Sequence, residues 1–213
     1  MRFTDATARL ASLPDPLPAY AEVLMPVLAD DRSQRLREGP APGHTPRPAA
    51  VLVLLYPDAD DDARVVLIER TTHEGHHSGE VSFPGGKAEA ADVDLVATAL
   101  REAAEEVGLD AHAAGVRVIG QLEPFWIPVS DFHVTPVLAI AERAPRMQAD
   151  PREVARIVEP RLARFLPDAP IAIVERTIGT WPLRYGVYEV DGLQVWGATA
   201  RILSQLGAVL GPG

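Results

Sequence analysis

The chain has 213 residues, 47% of them hydrophobic and 23% charged, and this balance predicts a packed domain with a terminal extension. The formal charge of −10 argues against nucleic acid as a partner, because a phosphate backbone is bound chiefly by clustered Lys and Arg. A divalent cation could still bring a small phosphorylated ligand to an acidic protein. The absence of cysteine excludes a disulfide framework, a zinc–thiolate site and a thiol nucleophile, and it fits a reducing cytoplasm.

The N-terminal segment begins with a predicted short helix at residues 4–12 and ends in a loop at 38–48 that is rich in Pro and Gly. The loop predicts a division into an N-terminal helical and Pro-rich extension, 1–48, which packs on the core, and a domain formed by 49–213. Prolines interrupt the first part of this extension, which contains no continuous apolar run. We therefore expect neither a signal peptide nor a membrane span, and we expect a cytoplasmic protein.

The domain that follows alternates strand and helix patterns. Its β-branched apolar runs predict strands at 49–56, 64–70, 116–122, 133–141, 171–175 and 185–190. Helices are predicted at 94–107 and 196–206. Residues 153–160 are ambiguous, because a helix start precedes them and Pro160 interrupts the helical pattern early. This order of elements predicts an α/β or α+β layered fold.

The stretch HEGHHSGEVSFPGGK, His73–Lys87, crowds several candidate motifs together. A serine-hydrolase elbow fails on spacing, because Ser78 stands beside Gly79 and not midway between two glycines. A phosphate-binding loop also fails, because six residues separate its glycines and Ala88 follows the lysine. The three histidines could bind a metal or contact an anionic substrate. The favoured interpretation is that they are loop histidines that hydrogen-bond the backbone, since no cysteine is present to complete a zinc site.

The stretch ATALREAAEEVGL, Ala97–Leu109, predicts a helix with one packed face and one acidic face. At 3.6 residues per turn, Glu102, Glu105 and Glu106 fall on an arc of about 100° that is separate from the apolar positions. Taken alone, this pattern is typical of a solvated surface. Its setting favours chemistry, because Arg101 can pair with Glu105 and a Pro-Gly-Gly turn is predicted upstream. Carboxylates on a rigid helix beside backbone carbonyls suit Mg²⁺ or Mn²⁺, which commonly hold diphosphates for hydrolysis.

Residues Gly85–Leu109 resemble the Nudix box, usually Gly-x5-Glu-x7-Arg-Glu-U-x-Glu-Glu-x-Gly-U with U aliphatic. The matching positions are Arg101, Glu102, Ala103, Glu105, Glu106, Gly108 and Leu109. The first half of the box is one residue longer than usual, and Asp92 stands where the first Glu is expected. The resemblance implies a Nudix fold, in which a mixed β-sheet is sandwiched between helices in an α/β/α arrangement.

The longer spacing is a feature of the coenzyme A pyrophosphatase branch of the family, and the preceding residues, Leu67–Gly86, resemble that branch's upstream motif. Further similarity lies at FHVTPV, at Glu153-Val154 and at VWGATARIL. Gly75 and His76 depart from the branch, since basic residues are common there and would form strong hydrogen bonds to phosphates. Coenzyme A or acyl-coenzyme A is the favoured substrate, and ADP-ribose, nucleotide sugars and dinucleotide polyphosphates stay open.

The resemblance implies an enzyme that cleaves the pyrophosphate bond of a small nucleoside diphosphate derivative, with Mg²⁺ or Mn²⁺ as cofactor. The implied metal ligands are Glu102, Glu105, Glu106 and the backbone carbonyl of Gly85. The implied catalytic groups are Arg101, which would orient Glu105, and two alternatives for the general base, Glu102 and Glu153. The implied substrate contacts are Arg70, Gly86, Lys87 and His77.

Several alternatives stay open at this stage. Arg70 could equally be a surface charge at a strand end, and Phe125 and Trp126 fit packing better than stacking on an adenine. Trp196 is predicted in the core. Because Nudix proteins often dimerise, a homodimer is a further expectation. A non-catalytic nucleotide-binding domain and a purely structural domain are the rival functions, and the three intact carboxylates of the box favour the enzyme.

Overall fold

The computed structural model describes residues 1–29, 39–71 and 79–211. Within these ranges the α-helices are α1 (Phe3–Leu10), α2 (Leu95–Val107) and α3 (Gly197–Leu210). The strands are β1 (Val27–Leu28), β2 (Arg47–Pro57), β3 (Ala63–Val65), β4 (Leu67–Arg70), β5 (Val81–Ser82), β6 (Gly85–Lys87), β7 (Val116–Gln121), β8 (Phe125–Ile127), β9 (Phe132–Ala141), β10 (Val154–Val158), β11 (Ala172–Ile178), β12 (Trp181–Val190) and β13 (Leu193–Val195). Among the described helices, none combines the length and the apolar character that a membrane crossing needs.

The central sheet is built around β2, which pairs in parallel with β9 and antiparallel with β3 and β6. Strands β7 and β8 pair antiparallel with β9, so the sheet is mixed. Side chains alternate between the two faces of a strand. Leu52 and Leu54 of β2 pack in a cluster with α2, whereas Val53 and Leu55 pack in a second cluster with α1 and α3. Helices therefore cover both faces, and the expected α/β/α arrangement is confirmed.

Helix α2 forms where the sequence predicts it, because both of its ends are capped. The Asp94 side chain accepts a hydrogen bond from the Ala97 N–H, which satisfies a free donor of the first turn. Gly108 ends the helix in a left-handed conformation with φ 63°. Ala99 and Ala103 are fully buried against the sheet. Small side chains on this face let α2 lie close to β2, so the acidic face is held at a fixed distance from the sheet.

A smaller sheet, in the order β10, β4, β5, lies beside the central one. The ambiguous residues 153–160 thus contain a strand, β10, and Val154 at its start pairs with Arg70 at the end of β4. This pairing brings Glu153 next to Arg70. A further antiparallel sheet contains β1, β11, β12 and β13.

Two local predictions are wrong. The predicted Pro-Gly-Gly turn is a strand, because Gly85 and Gly86 lie in β6 and pair with β2. Trp196, predicted in the core, is only partly buried; it precedes α3, and its ring stacks on that of Tyr185 with centroids 5.0 Å apart.

The N-terminal segment packs on the rest of the fold through α1. Phe3, Ala6 and Leu10 are buried in the cluster that includes α3, and the Phe3 N–H donates to the Asp61 carbonyl at 2.7 Å. The observed helix is two residues shorter at its C-terminal end than the predicted one. Strand β2 begins at Arg47, within the predicted loop. The division of the chain at residue 48 stays a prediction.

Candidate active site

The site is organised around the two glycines of β6, each of which allows a close approach that a side chain would block. A Cβ at Gly85, where φ is 154°, would lie 2.4 Å from the Ala50 carbonyl oxygen of β2. A Cβ at Gly86 would lie 2.6 Å from a carboxylate oxygen of Glu102 on α2. Gly85 therefore lets β6 pack against β2, and Gly86 lets the acidic face of α2 contact β6.

Glu106 is the buried carboxylate of the site, with 2% of the residue exposed. Its Oε2 accepts a hydrogen bond from the Gly85 N–H at 2.9 Å, and its Oε1 accepts one from Arg70 Nη1 at 3.0 Å. The pKa of Glu106 is raised to about 7, chiefly by burial and also by the nearby charge of Glu102, although the bonds from Gly85 and Arg70 oppose the shift. Glu106 is thus a carboxylate that the fold holds at an electrostatic cost.

Glu102 and Glu105 lie toward the open end of the acidic face. Burial raises the pKa of Glu102, and the charges of Glu105 and Glu153 act in the same direction, while Arg101 opposes them. The Glu102 side chain is 16% exposed and that of Glu105 is 60% exposed. The acidic face therefore runs from a buried carboxylate at Glu106 to a solvated one at Glu105.

Arg101 ties this open end together. Its Nη1 donates at 3.0 Å to both Glu102 Oε1 and Glu105 Oε2, so the predicted pairing with Glu105 is present. Its Nε and Nη2 donate to the Asp92 carboxylate at 3.0 and 3.1 Å, and Nη2 also donates to the Lys87 carbonyl. The hydrogen bond from Arg101 is the chief reason that the pKa of Asp92 lies well below its usual range.

Asp92 is a site residue for which the sequence pattern predicts no role. Its position in the box, where a Glu is usual, is the feature of the sequence that indicates a role. The carboxylate also accepts hydrogen bonds from the Thr98 hydroxyl and the Glu89 N–H, both at 2.9 Å. With these partners Asp92 fixes the guanidinium of Arg101, which in turn orients two glutamates of α2.

Arg70 lies at the other end of the site, between two carboxylates. Its Nη1 bonds Glu106, and its Nη2 lies 4.0 Å from Glu153 Oε2. The segment that carries Glu153 is anchored here, because the Thr71 N–H donates to the Glu153 carbonyl and the Asp150 N–H donates to the Glu106 carbonyl, each at 2.9 Å. Arg70 is therefore not a free surface charge at a strand end, which was one of the two readings that the sequence left open.

The donor set matches the chemistry of Mg²⁺ or Mn²⁺, which take hard carboxylate and carbonyl oxygens. Gly85 lies opposite Val51 in the register of β6 with β2, one residue from the Leu52–Pro84 hydrogen bond. Such a position in an antiparallel pair leaves its carbonyl outside the ladder, where it can serve as a ligand. Among the described residues, however, no three His, Asp or Glu side chains gather closely enough to hold a metal ion. The ligand set stays a prediction.

The remaining predicted residues are placed differently. Lys87 is exposed and meets the site through its carbonyl, which bonds Arg101. His77, like Gly75 and His76, lies outside the described residues. Phe125 is buried and its ring lies 4.3 Å from the Arg201 guanidinium carbon, while the Trp126 indole N–H donates to Asp131. Phe125 therefore packs within the protein, whereas Trp126 is only partly buried.

Helix α2 carries three glutamates and packs against β6, a strand with two consecutive glycines, within an α/β/α fold. This combination is expected of the Nudix class. A family model described as the NUDIX domain matches residues 46–172. The chain belongs to the Nudix domain family.

Curated relatives carry the same family name. The chain is 38% identical over 170 residues to "Nudix hydrolase 15, mitochondrial" of Arabidopsis thaliana, a match that covers 77% of this chain and 59% of the relative's length. It is 37% identical over 152 residues to "Uncharacterized Nudix hydrolase NudL" of Salmonella paratyphi B, with 69% and 75% of the two chains covered. Among solved structures, a Nudix hydrolase from M. smegmatis, RenU, is 24% identical with a TM-score of 0.46 and covers 55% of this chain and 72% of its own.

Proposed function

We propose that this protein hydrolyses the pyrophosphate bond of a nucleoside diphosphate derivative, with coenzyme A or acyl-coenzyme A as the first candidate substrate and Mg²⁺ or Mn²⁺ as cofactor. The observation that carries the proposal is the pair of carboxylates, Glu102 and Glu106, which lie against Gly86 and Gly85 although their desolvation is unfavourable. Perturbed pKa values cluster at functional sites, so two carboxylates with raised pKa values in one site support a functional role.

Glu102, Glu105, Glu106 and the Gly85 carbonyl would hold the cation, which supplies charge neutralisation of the phosphate oxygens and a lowered pKa of the attacking water. Arg101 keeps Glu102 and Glu105 in position, and Asp92 fixes Arg101. Arg101 and Asp92 thus keep the oxygens of these glutamates in a fixed geometry before substrate binds.

Two residues are candidates for the general base that takes a proton from water. Glu102 has a pKa raised by burial, which brings a carboxylate closer to neutral pH, where a base works best. Glu153 is 55% exposed and stands on the segment anchored beside Glu106, so water reaches it directly. Glu153→Gln is the decisive variant, because Glu153 is not among the proposed metal ligands. If Glu153 is the base, this variant should lower kcat with little effect on metal affinity, whereas Glu102→Gln should weaken metal binding whichever residue is the base.

The choice of coenzyme A rests on the resemblance of Leu67–Gly86 and of the longer box to the coenzyme A pyrophosphatase branch. ADP-ribose, nucleotide sugars and dinucleotide polyphosphates are the alternative substrates, since Gly75 and His76 depart from that branch. A non-catalytic nucleotide-binding domain is the remaining alternative. All three glutamates of the box are intact, which favours catalysis.

The proposal is tested with a panel of these diphosphates, each incubated with Mg²⁺ and with Mn²⁺, with products identified by mass spectrometry. We expect turnover that requires the metal, and a loss of at least about a hundredfold in Glu106→Gln. Glu189→Gln is the matched control, because Glu189 is exposed on β12. Full turnover in Glu106→Gln would contradict the metal assignment, and coenzyme A as the poorest substrate would contradict the branch.

We also propose a cytoplasmic location, a small-molecule substrate and no association with nucleic acid or membranes. The formal charge of −10 supports the exclusion of nucleic acid, and the absence of cysteine supports a reducing compartment. A homodimer stays a proposal that rests on the family resemblance. Sedimentation at several protein concentrations would test it.

A further inference from the structure

Arg70 occupies a position that the proposed function does not explain. It ends β4 and reaches the deepest carboxylate of the site, where its Nη1 bonds Glu106 Oε1 at 3.0 Å. The other oxygen of Glu106 is bonded by the Gly85 N–H. Both oxygens of this buried glutamate are therefore occupied by donors of the protein itself. A cation that binds Glu106 therefore has to share an oxygen with one of these two donors or replace one of them.

The Arg70 side chain can leave this contact more easily than Gly85 can. It is 26% exposed, and a second carboxylate, Glu153, lies 4.0 Å from its Nη2. Gly85, in contrast, is fixed within β6 by pairing with β2. The guanidinium has an alternative partner and solvent on one side, whereas the backbone N–H has neither. Arg70 is thus the donor that a cation would displace.

Electrostatic repulsion favours the displacement of Arg70 when a divalent cation binds Glu106. A guanidinium within hydrogen-bond distance of Glu106 repels a divalent cation at the same carboxylate, and this repulsion is strong where water is excluded. Without either cation, the buried carboxylate would stand uncompensated, which is costly. A positive group is therefore needed at Glu106 in the metal-free protein, and the same group opposes metal binding.

We propose that Arg70 is a positioning residue. Its guanidinium is the counter-ion that holds the Glu106 carboxylate in place, and it competes with the catalytic metal for this carboxylate. The inference rests on the proposed function, in which Glu106 is a metal ligand. Arg70 keeps Glu106 ordered in the metal-free protein, and metal binding transfers the guanidinium toward Glu153 and the substrate side of the site.

The test measures Mn²⁺ affinity without substrate, by the electron paramagnetic resonance signal of free Mn²⁺. We expect Arg70→Gln to bind Mn²⁺ about three- to tenfold more tightly than the wild type, because the competing charge is gone. Arg70→Lys keeps the charge and should stay within about twofold of the wild type. Arg156→Gln is the matched control: Arg156 pairs with Glu69 on the same small sheet, and its loss should leave Mn²⁺ affinity unchanged. Turnover of Arg70→Gln should fall while its metal affinity rises, and a merely structural role would not give this pair of opposite shifts.

A second measurement uses the wild-type chain and does not depend on the folding of a variant. Phenylglyoxal modification of Arg70, followed by peptide mass spectrometry, should be faster with Mn²⁺ than without it, because the metal frees the guanidinium. Unchanged or weaker Mn²⁺ binding in a folded Arg70→Gln variant, or equal modification rates, would overturn the inference alone. A wild-type protein that binds no Mn²⁺ and cleaves no diphosphate would overturn the proposed function with it.

Discussion

The two ends of the acidic face of α2 use the same three kinds of residue in different surroundings. Each end combines a glutamate, a glycine of β6 and an arginine: Glu106, Gly85 and Arg70 at the buried end, and Glu102, Gly86 and Arg101 at the open end. The buried end is closed around its carboxylate by the backbone of β6. The open end is shared among several carboxylates through one guanidinium.

This difference predicts how strongly changes at each end affect the free energy of unfolding. A buried charge pair carries a large desolvation cost, so changes at the buried end should alter the free energy of unfolding. Solvated ion pairs contribute little to stability, but several of them on one guanidinium fix its geometry. Changes at the open end should therefore alter turnover more than folding.

The largest expected effect is that of Gly85→Ala at the buried end. The new methyl would lie 2.4 Å from the Ala50 carbonyl oxygen and 2.5 Å from the Val51 Cα, and backbone atoms cannot move aside. We expect a loss of about 4 kcal/mol in the free energy of unfolding and a fall of roughly 10 °C in Tm. Thermal denaturation followed by circular dichroism measures it. Gly39→Ala, where a Cβ meets nothing within 4 Å, is the control, and equal Tm values for the two variants would refute the clash.

A pH dependence at Glu106 should be next in size. Its pKa rises on folding from 4.5 to about 7, so its protonated form favours the folded state. This contribution is fully present below pH 4.5 and is lost as the pH rises through about 7. In EDTA, the free energy of unfolding of the wild type should therefore fall between about pH 5 and pH 8. The fall should be smaller in Glu106→Gln, by up to about 3 kcal/mol. Urea denaturation at both pH values measures this difference, and parallel profiles for the two proteins would disprove it.

At the open end, Gly86→Ala should affect activity more than folding. Its methyl would lie 2.6 Å from a Glu102 carboxylate oxygen, and this end of a side chain can shift. We expect kcat to fall about tenfold to a hundredfold because Glu102 is displaced, while the free energy of unfolding changes by about 1 kcal/mol or less. Steady-state kinetics and urea denaturation are compared on the same preparation. A stability loss as large as that of Gly85→Ala would contradict the distinction between the two ends.

The smallest effect is expected for Asp92→Asn, which weakens the hold on Arg101 without removing it. An amide can accept a hydrogen bond from only one of its two positions, so the fork of Arg101 loses a partner. Turnover should fall about threefold to tenfold. Asp94→Asn is the control, because an asparagine caps α2 as well as an aspartate does. The role of Asp92 would be ruled out by equal kcat values in the two variants.

Much of the fold could be predicted from the sequence because its longest elements carry regular patterns. Helix α2 was predicted at 94–107 and observed at Leu95–Val107, with its capping residue at Asp94. Strand β6 could not be predicted, since the pattern that marks it, Pro-Gly-Gly, is typical of turns. Gly85 and Gly86 form a strand because β2 and α2 approach it so closely. That proximity is a tertiary property.

The site divides in the same way. The contact of Arg101 with Glu105 follows from helical spacing and was predicted. The contact of Arg70 with Glu106 joins residues 36 apart in the chain, and it depends on where the end of β4 lies relative to α2. No local pattern in the sequence predicts that contact, so the sequence does not decide between two roles for Arg70, a phosphate contact and a surface charge.

The parallel pairing of β2 with β9 has a consequence for folding kinetics. Ala50 pairs with Thr135, and the segment between them contains β6 and the whole of α2. A parallel pair with so long a crossover loses chain entropy before its contacts form, which slows folding. Until these two strands meet, the sheet under α2 lacks β9, whose Val137 and Ala139 belong to the same buried cluster as α2. During refolding, the amides that join β2 to β9 should therefore be among the last to become protected from hydrogen exchange.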